Sequence, residues 1–118
     1  DFVAMARMHD FWERHGQRGL EKILAPDEIE DCLSSVTPAV FLAKRFAAKE
    51  ALGKAFGTGV RAPLLLPAIS VYHDSLGKPL FRLLGEAKAL FESRGLIAHL
   101  SLSDEKDFAI AFVVLETI

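Results

Sequence analysis

Apolar and polar residues alternate with different periods in the two halves of the chain. Residues 4–15 (AMARMHDFWERH) mix apolar and charged positions at helical spacing, and Gly16 is the expected stop. A short helical piece is expected over Leu20–Leu24, and Pro26 with Asp27 and Glu28 opens an acidic helix ending near Leu33. Thr37-Pro38 predicts a strong start, with the Thr hydroxyl accepting a backbone N–H and Pro at the first helical position. The helix that follows runs from Pro38 to Phe56 and stops at Gly57. In the second half, residues 69–73 and 80–84 read as the strands of a hairpin turned by Asp74–Pro79. Glu86–Arg94 reads as a helix stopped by Gly95, and Ala98–Leu102 as an alternating strand. Phe108–Leu115 is apolar enough for a strand at the sheet centre or buried on both faces. Helices followed by mainly antiparallel strands make an α+β plan.

Composition narrows the class. A chain of 118 residues, 51% hydrophobic and 25% charged, has the size of one domain over 1–118 and needs no staple to bury a core. A formal charge of −2 argues against bulk nucleic-acid binding, and no apolar run approaches the ~20 residues that span a membrane. One cysteine, Cys32, cannot form an intrachain disulfide, which fits a reducing, cytoplasmic setting. With no basic neighbour in sequence to activate its thiol, Cys32 reads as inert. The four histidines show no zinc-site spacing, and His99, in an expected strand, reads as structural. Phe11 and Trp12 read as core residues.

The Pro38–Phe56 helix departs from the usual two-faced pattern. Residues 39–56 hold twelve apolar residues, six of them Ala, and five charges that do not gather on one face. Glu50 and Lys54 point one way, Lys44 another, and Arg45 with Lys49 a third. Two readings fit: Glu50 and Lys54 form an ordinary i,i+4 surface pair, or some of these charges face a ligand rather than bulk water. Two readings also fit Gly57-Thr58-Gly59, a phosphate cradle built from backbone N–H groups or a helix cap followed by a turn. Residues 44–61 carry five basic side chains and one acid, a net of +4, which marks where an anion would sit.

Phe46-Ala47-Ala48-Lys49-Glu50-Ala51-Leu52-Gly53-Lys54-Ala55 resembles the signature of the 4′-phosphopantetheinyl transferases, and Phe41–Arg61 resembles their small bacterial subgroup. Asp1-Phe2-Val3 through Arg7, the turn Gly77-Lys78-Pro79, and His99–Asp104 followed by Phe108–Ala111 agree in order and spacing. The resemblance implies an α+β fold with a mainly antiparallel sheet against a long central helix. It implies Mg²⁺-dependent transfer of phosphopantetheine from coenzyme A to a serine of an apo acyl carrier protein. It places metal carboxylates on Asp1 and Glu50, with Glu50 also a candidate base, and a phosphate-binding catalytic lysine on Lys54. Arg45 would meet the adenosine 3′-phosphate, and Lys44, Gly57, Thr58, Gly59 and Arg61 are further coenzyme candidates. Lys78 and Pro79 would line the adenine side from a neighbouring subunit of a homotrimer, and Arg7, Arg14 and Arg18 would dock the acidic carrier.

Three departures from the family pattern stand out. A short strand and Gly-rich turn that relatives carry before the metal-binding Asp is absent, so upstream residues are expected in the natural protein and a sheet edge should lie unpaired. If Asp1 is the terminus, its ammonium would sit beside the metal. Ala4 stands where many relatives carry Glu, and Asp104 where some carry His. The alternative reading is a non-catalytic binding module of the same fold that recognises an acidic partner. It has no use for Asp1, Glu50 and Lys54 together.

Overall fold

A computed structural model describes residues 1–118. The chain runs β1 (Phe2–Ala4), α1 (Met5–Ile23), α2 (Pro26–Ser34), α3 (Pro38–Phe56), a single 3₁₀ turn (Leu66–Ala68), β2 (Ile69–His73), β3 (Pro79–Leu83), α4 (Gly85–Ser93), β4 (Leu96–Asp104) and β5 (Phe108–Thr117). The strands are all antiparallel but divide into two sheets, β1-β5-β4 and the hairpin β2-β3. α3 lies across the first sheet. Its Ala43, Ala47, Ala48 and Ala51 share one core with Val3, Leu100, Ala109 and Ala111. Small side chains on both surfaces let the helix backbone approach the sheet closely, which accounts for these four of the six alanines, while Ala55 is exposed.

Several expectations need correction. Gly16 does not end the first helix. It takes φ 54° and ψ −140°, a kink after which the helix resumes to Ile23, so the two expected pieces are one bent element. Only glycine adopts that backbone at low cost, and burial of Leu20 and Ile23 beyond the kink holds the second arm. Thr37 does not cap α3 with its hydroxyl. Instead its own N–H donates to Ser35 Oγ at 3.1 Å. β1 was not expected at all. Phe2–Ala4 pair with residues 108–110 of β5, and the Asp1 nitrogen donates to the Ala111 carbonyl while Ala111 N–H donates to Asp1 O at 2.8 Å. The edge of β5 is therefore covered as far as Ala111 and unpaired beyond it. β5 is central, as its composition suggested, but only one face is buried: Phe108, Phe112 and Val114 are exposed while Ala109 and Ala111 face α3.

The deepest feature of the core is ionic. Lys49 has no exposed surface, and its ammonium donates to Ile23 O (2.7 Å), Leu66 O (3.1 Å) and Glu28 Oε1 (2.5 Å). Glu28, 1% exposed, also accepts the Ala25 N–H (2.8 Å), Arg45 Nη1 (3.1 Å) and the Val71 N–H (3.0 Å). One carboxylate thus ties α1, α2, α3, the 3₁₀ turn and β2, and no fully buried side-chain N or O lacks a partner. Burial pushes the Lys49 ammonium down to about 8, against the opposing pull of Glu28.

Replacing Lys49 by Met should cost about 3–5 kcal/mol in denaturant unfolding, because it leaves a buried carboxylate and two buried carbonyls short of a donor. Between about pH 8 and the ordinary lysine value of 10.5, the unfolded chain holds a proton that folded Lys49 has released. The stability of the native chain relative to Lys49→Met should therefore widen as pH rises through that window and stay flat below it.

Candidate active site

α3 sends its charges in three directions, as the helical spacing predicted, and each meets a different element. Arg45 and Lys49 go inward to Glu28. Lys44 pairs with Asp104 at the end of β4, at 3.3 Å. Lys54 reaches the start of the chain, where its Nζ lies 2.5 Å from Asp1 Oδ1. The ordinary i,i+4 pairing of Glu50 with Lys54 is not formed, since Lys54 is spent on Asp1 and Glu50 has neither an ion-pair nor a side-chain hydrogen-bond partner.

The geometry follows from the fold. The ladder to Ala111 fixes the Asp1 backbone against β5, and the alanine-lined contact draws α3 over β1 and β5. The result sets a carboxylate on the sheet beside an ammonium on the helix, with Glu50 one turn earlier on α3 and half-buried. The Asp1 carboxylate is mostly covered (13% exposed) while Lys54 is 67% exposed, so the lysine is free to reach outward. Its pairing with Asp1 is solvent-screened and worth at most ~1 kcal/mol.

The loop after α3 forms the helix cap that one reading of Gly57-Thr58-Gly59 expected. Gly57, at φ 100°, donates its N–H to Gly53 O and Lys54 O, both at 3.1 Å, and the Gly59 N–H donates to Gly53 O at 3.0 Å. Those two N–H groups close the end of the helix. The Thr58 hydroxyl donates to Gly59 O at 2.9 Å, and Thr58 and Arg61 remain at the surface. The loop folds so tightly over α3 that a Cβ on Gly53 would stand 2.7 Å from the Gly59 carbonyl carbon. Gly53 is thus a packing residue within the signature.

Other assigned residues fall elsewhere. Arg45 is buried, with Nη1 on Glu28 and its guanidinium carbon 4.4 Å from the centroid of the Phe41 ring. Lys78 and Pro79 stand at the mouth of the β2-β3 hairpin, in the second sheet, where Asp74 Oδ1 accepts the Lys78 N–H at 2.9 Å. Arg7 and Arg14 line one groove of about 410 Å³ between α1 and Phe46, but Arg18 does not. Lys22 takes the place expected of Arg18, because the bend at Gly16 redirects the second arm of α1. His15 and Met8 also line it, as does Phe11, which is only half-buried rather than a full core residue. Sequence spacing on a straight helix could not reveal Lys22. Cys32 does have a basic neighbour, Arg45, but burial outweighs it and raises the thiol to about 11, so it is inert for a different reason than expected. His99 pairs with Glu116 at 2.8 Å on the exposed sheet face, in keeping with a structural role.

Residues 1–113 match the family described as the 4′-phosphopantetheinyl transferase superfamily. The chain belongs to this superfamily. Among its members the chain is 53% identical over 116 residues to a holo-[acyl-carrier-protein] synthase of Dechloromonas aromatica, covering 98% of this chain and 93% of the relative. The fold superposes on the crystal structure of the holo-[acyl-carrier-protein] synthase from Neisseria meningitidis with a TM-score of 0.94 at 40% identity, covering 99% of this chain and 94% of that one. It superposes with a TM-score of 0.82 at 32% identity on the Bacillus anthracis synthase in complex with CoA (3′,5′-ADP), covering 100% and 93% of the two chains. The α+β architecture expected from the sequence is thus that of the transferase superfamily.

Proposed function

We propose that this protein transfers the 4′-phosphopantetheine group of coenzyme A to a serine of an apo acyl carrier protein. The observation that carries the reading is the joining of Asp1 and Lys54 across the sheet–helix contact, with Glu50 left unpaired one turn away. It occurs in a chain similar over nearly its whole length to holo-acyl-carrier-protein synthases. In the reaction the serine oxygen forms a bond to the phosphorus that carries pantetheine. The bond from that phosphorus to the bridging oxygen breaks, and adenosine 3′,5′-bisphosphate leaves.

The donor set suits Mg²⁺. Asp1 Oδ2 and both Glu50 oxygens accept no protein hydrogen bond, and hard carboxylate oxygens completed by phosphate and water are what this ion takes. Bound there, the ion would neutralise pyrophosphate charge. Lys54, exposed and one turn from Glu50, stabilises the charge that gathers on the leaving bisphosphate. Glu50 carries a free carboxylate with which to take the serine proton as attack proceeds. Lys44, Thr58 and Arg61 lie along the same helix and its following loop as further coenzyme contacts, through side chains rather than the Gly57 and Gly59 amides.

The acidic carrier docks at the groove lined by Arg7, Arg14 and Lys22 over an apolar floor of Met8, Phe11 and Phe46. The assembly is a homotrimer. Phe2, Phe108, Phe112, Val114 and Ile97 are all exposed, and pairing register sets them on one face of the β1-β5-β4 sheet. Such an apolar face calls for a partner, and a second copy would bring its Lys78-Pro79 hairpin mouth to the coenzyme.

Four outcomes are expected. Glu50→Gln should lower kcat by about 10²- to 10³-fold, the scale of losing one strong electrostatic contact at the reacting centre, with intact mass of the carrier as the readout. In the native chain coenzyme A should raise the melting temperature further when Mg²⁺ is present, and equal shifts with and without Mg²⁺ would count against the metal. The Arg7→Glu, Arg14→Glu double variant should raise KM for the carrier and leave KM for coenzyme A unchanged, with the effect shrinking as salt rises. Phe112→Glu should convert the trimer to smaller species in light scattering and reduce transfer; an unchanged mass would rule out this face as the interface.

A further inference from the structure

The buried ionic cluster is not electrically closed. Glu28 supplies one negative charge to two cations, Lys49 and Arg45, and the neighbouring carboxylates are committed elsewhere. Asp27 accepts the Ser70 hydroxyl at 2.6 Å and lies 3.7 Å from Arg82, and Asp104 pairs with Lys44. Lys49 is saturated, with three acceptors for its three protons. The surplus charge therefore belongs to Arg45.

The Arg45 side chain is 9% exposed, yet only Nη1 has a protein acceptor. Since no fully buried side-chain nitrogen lacks a partner, the remaining N–H groups open to the narrow exposed rim. Two contacts hold the guanidinium: Glu28 Oε2 accepts from Nη1 at 3.1 Å, and the guanidinium carbon lies over the Phe41 ring, 4.4 Å from its centroid. Glu28 cannot turn, because two backbone N–H groups and Lys49 hold the same carboxylate. Arg45 and Lys44 make themselves felt at the neighbouring His73 imidazole, whose pKa is lowered first by partial burial and then by these two cations, against the opposing pull of Asp74. A guanidinium held on one edge and one face, with its remaining donors aimed outward, is preorganised for a phosphate.

We propose that Glu28 and Phe41 are positioning residues that aim Arg45 at the 3′-phosphate of coenzyme A and so set its preference over 3′-dephospho-coenzyme A. The proposal rests on the reading that Arg45 meets that phosphate. It adds that the contact depends on an anchored carboxylate and a ring that never touch the ligand. The same carboxylate fixes the rotation of α3 through Lys49, so the grip on the coenzyme and the direction of Glu50 share one anchor.

The test is calorimetric affinity for coenzyme A and for 3′-dephospho-coenzyme A, taken as a ratio, in the native chain and in Arg45→Gln, Phe41→Leu and Glu28→Gln. Arg45→Gln should reduce the preference by on the order of 10- to 100-fold, the worth of a charge-assisted hydrogen bond. Phe41→Leu, at a half-buried position, should reduce it about three- to tenfold, and Glu28→Gln by at least as much if it folds. A merely structural role would weaken both ligands alike and leave the ratio unmoved. An unchanged ratio in Phe41→Leu beside a reduced one in Arg45→Gln would overturn the proposal and leave the reading of Arg45 standing. An unchanged ratio in Arg45→Gln would overturn both. Transfer to the carrier is assayed separately, so lost discrimination in these variants supports the proposal even if no transfer is found.

Discussion

The setting of α3, the helix that carries Lys44, Glu50 and Lys54, depends on the Glu28 carboxylate. The carboxylate is buried, it accepts four hydrogen bonds, and its donors come from Ala25 just before α2, from α3 and from β2, with α1 and the 3₁₀ turn joined through Lys49. A hydrophobic contact of the same size would let α3 slide or rotate by a fraction of a turn. An ion pair with saturated geometry does not, because displacement leaves a charge buried without a partner. With α3 held at Arg45 and Lys49, the directions of Glu50, Lys54 and Lys44 follow from 100° per residue.

Much of this arrangement was legible in the sequence. α3, its limits and the three directions of its charges follow from helical spacing and from the Pro38 and Gly57 boundaries, and the hairpin and closing strands follow from alternation and turn residues. The resemblance pointed to Asp1, Glu50 and Lys54, and the fold brings Asp1 and Lys54 into contact. What sequence could not give were features set by distant partners. β1 is three residues long and has no periodicity to read; it exists because β5 offers it a ladder. Glu28 looked like one acid among several in an acidic helix, and only the packing of four other elements singles it out. Lys22 depends on a bend at Gly16 that sequence reads equally well as a stop.

β5 shows how far a composition argument reaches. Its apolar run fits a strand at the sheet centre, which it is, or one buried on both faces, which it is not: one face meets the alanines of α3 while Phe108, Phe112 and Val114 stand in the open. A chain that covers that face with another copy of itself leaves the same pattern in its sequence as one that covers it with its own helices. The glycine-rich loop carries a similar lesson. Its N–H groups are those a phosphate would want, and the carbonyl of Gly53 takes them first.

The Asp1–Ala111 pairing joins points 110 residues apart, nearly the whole chain, and Lys54 approaches the same aspartate from 53 residues away. Closing so long a loop costs chain entropy before the contact repays it, so the Asp1–Ala111 pairing leans on the helices and strands that bring its two ends together. The contact between Asp1 and Lys54 therefore depends on β1, α3 and β5 together, and it reports on the packing of helix against sheet more directly than the helical content does.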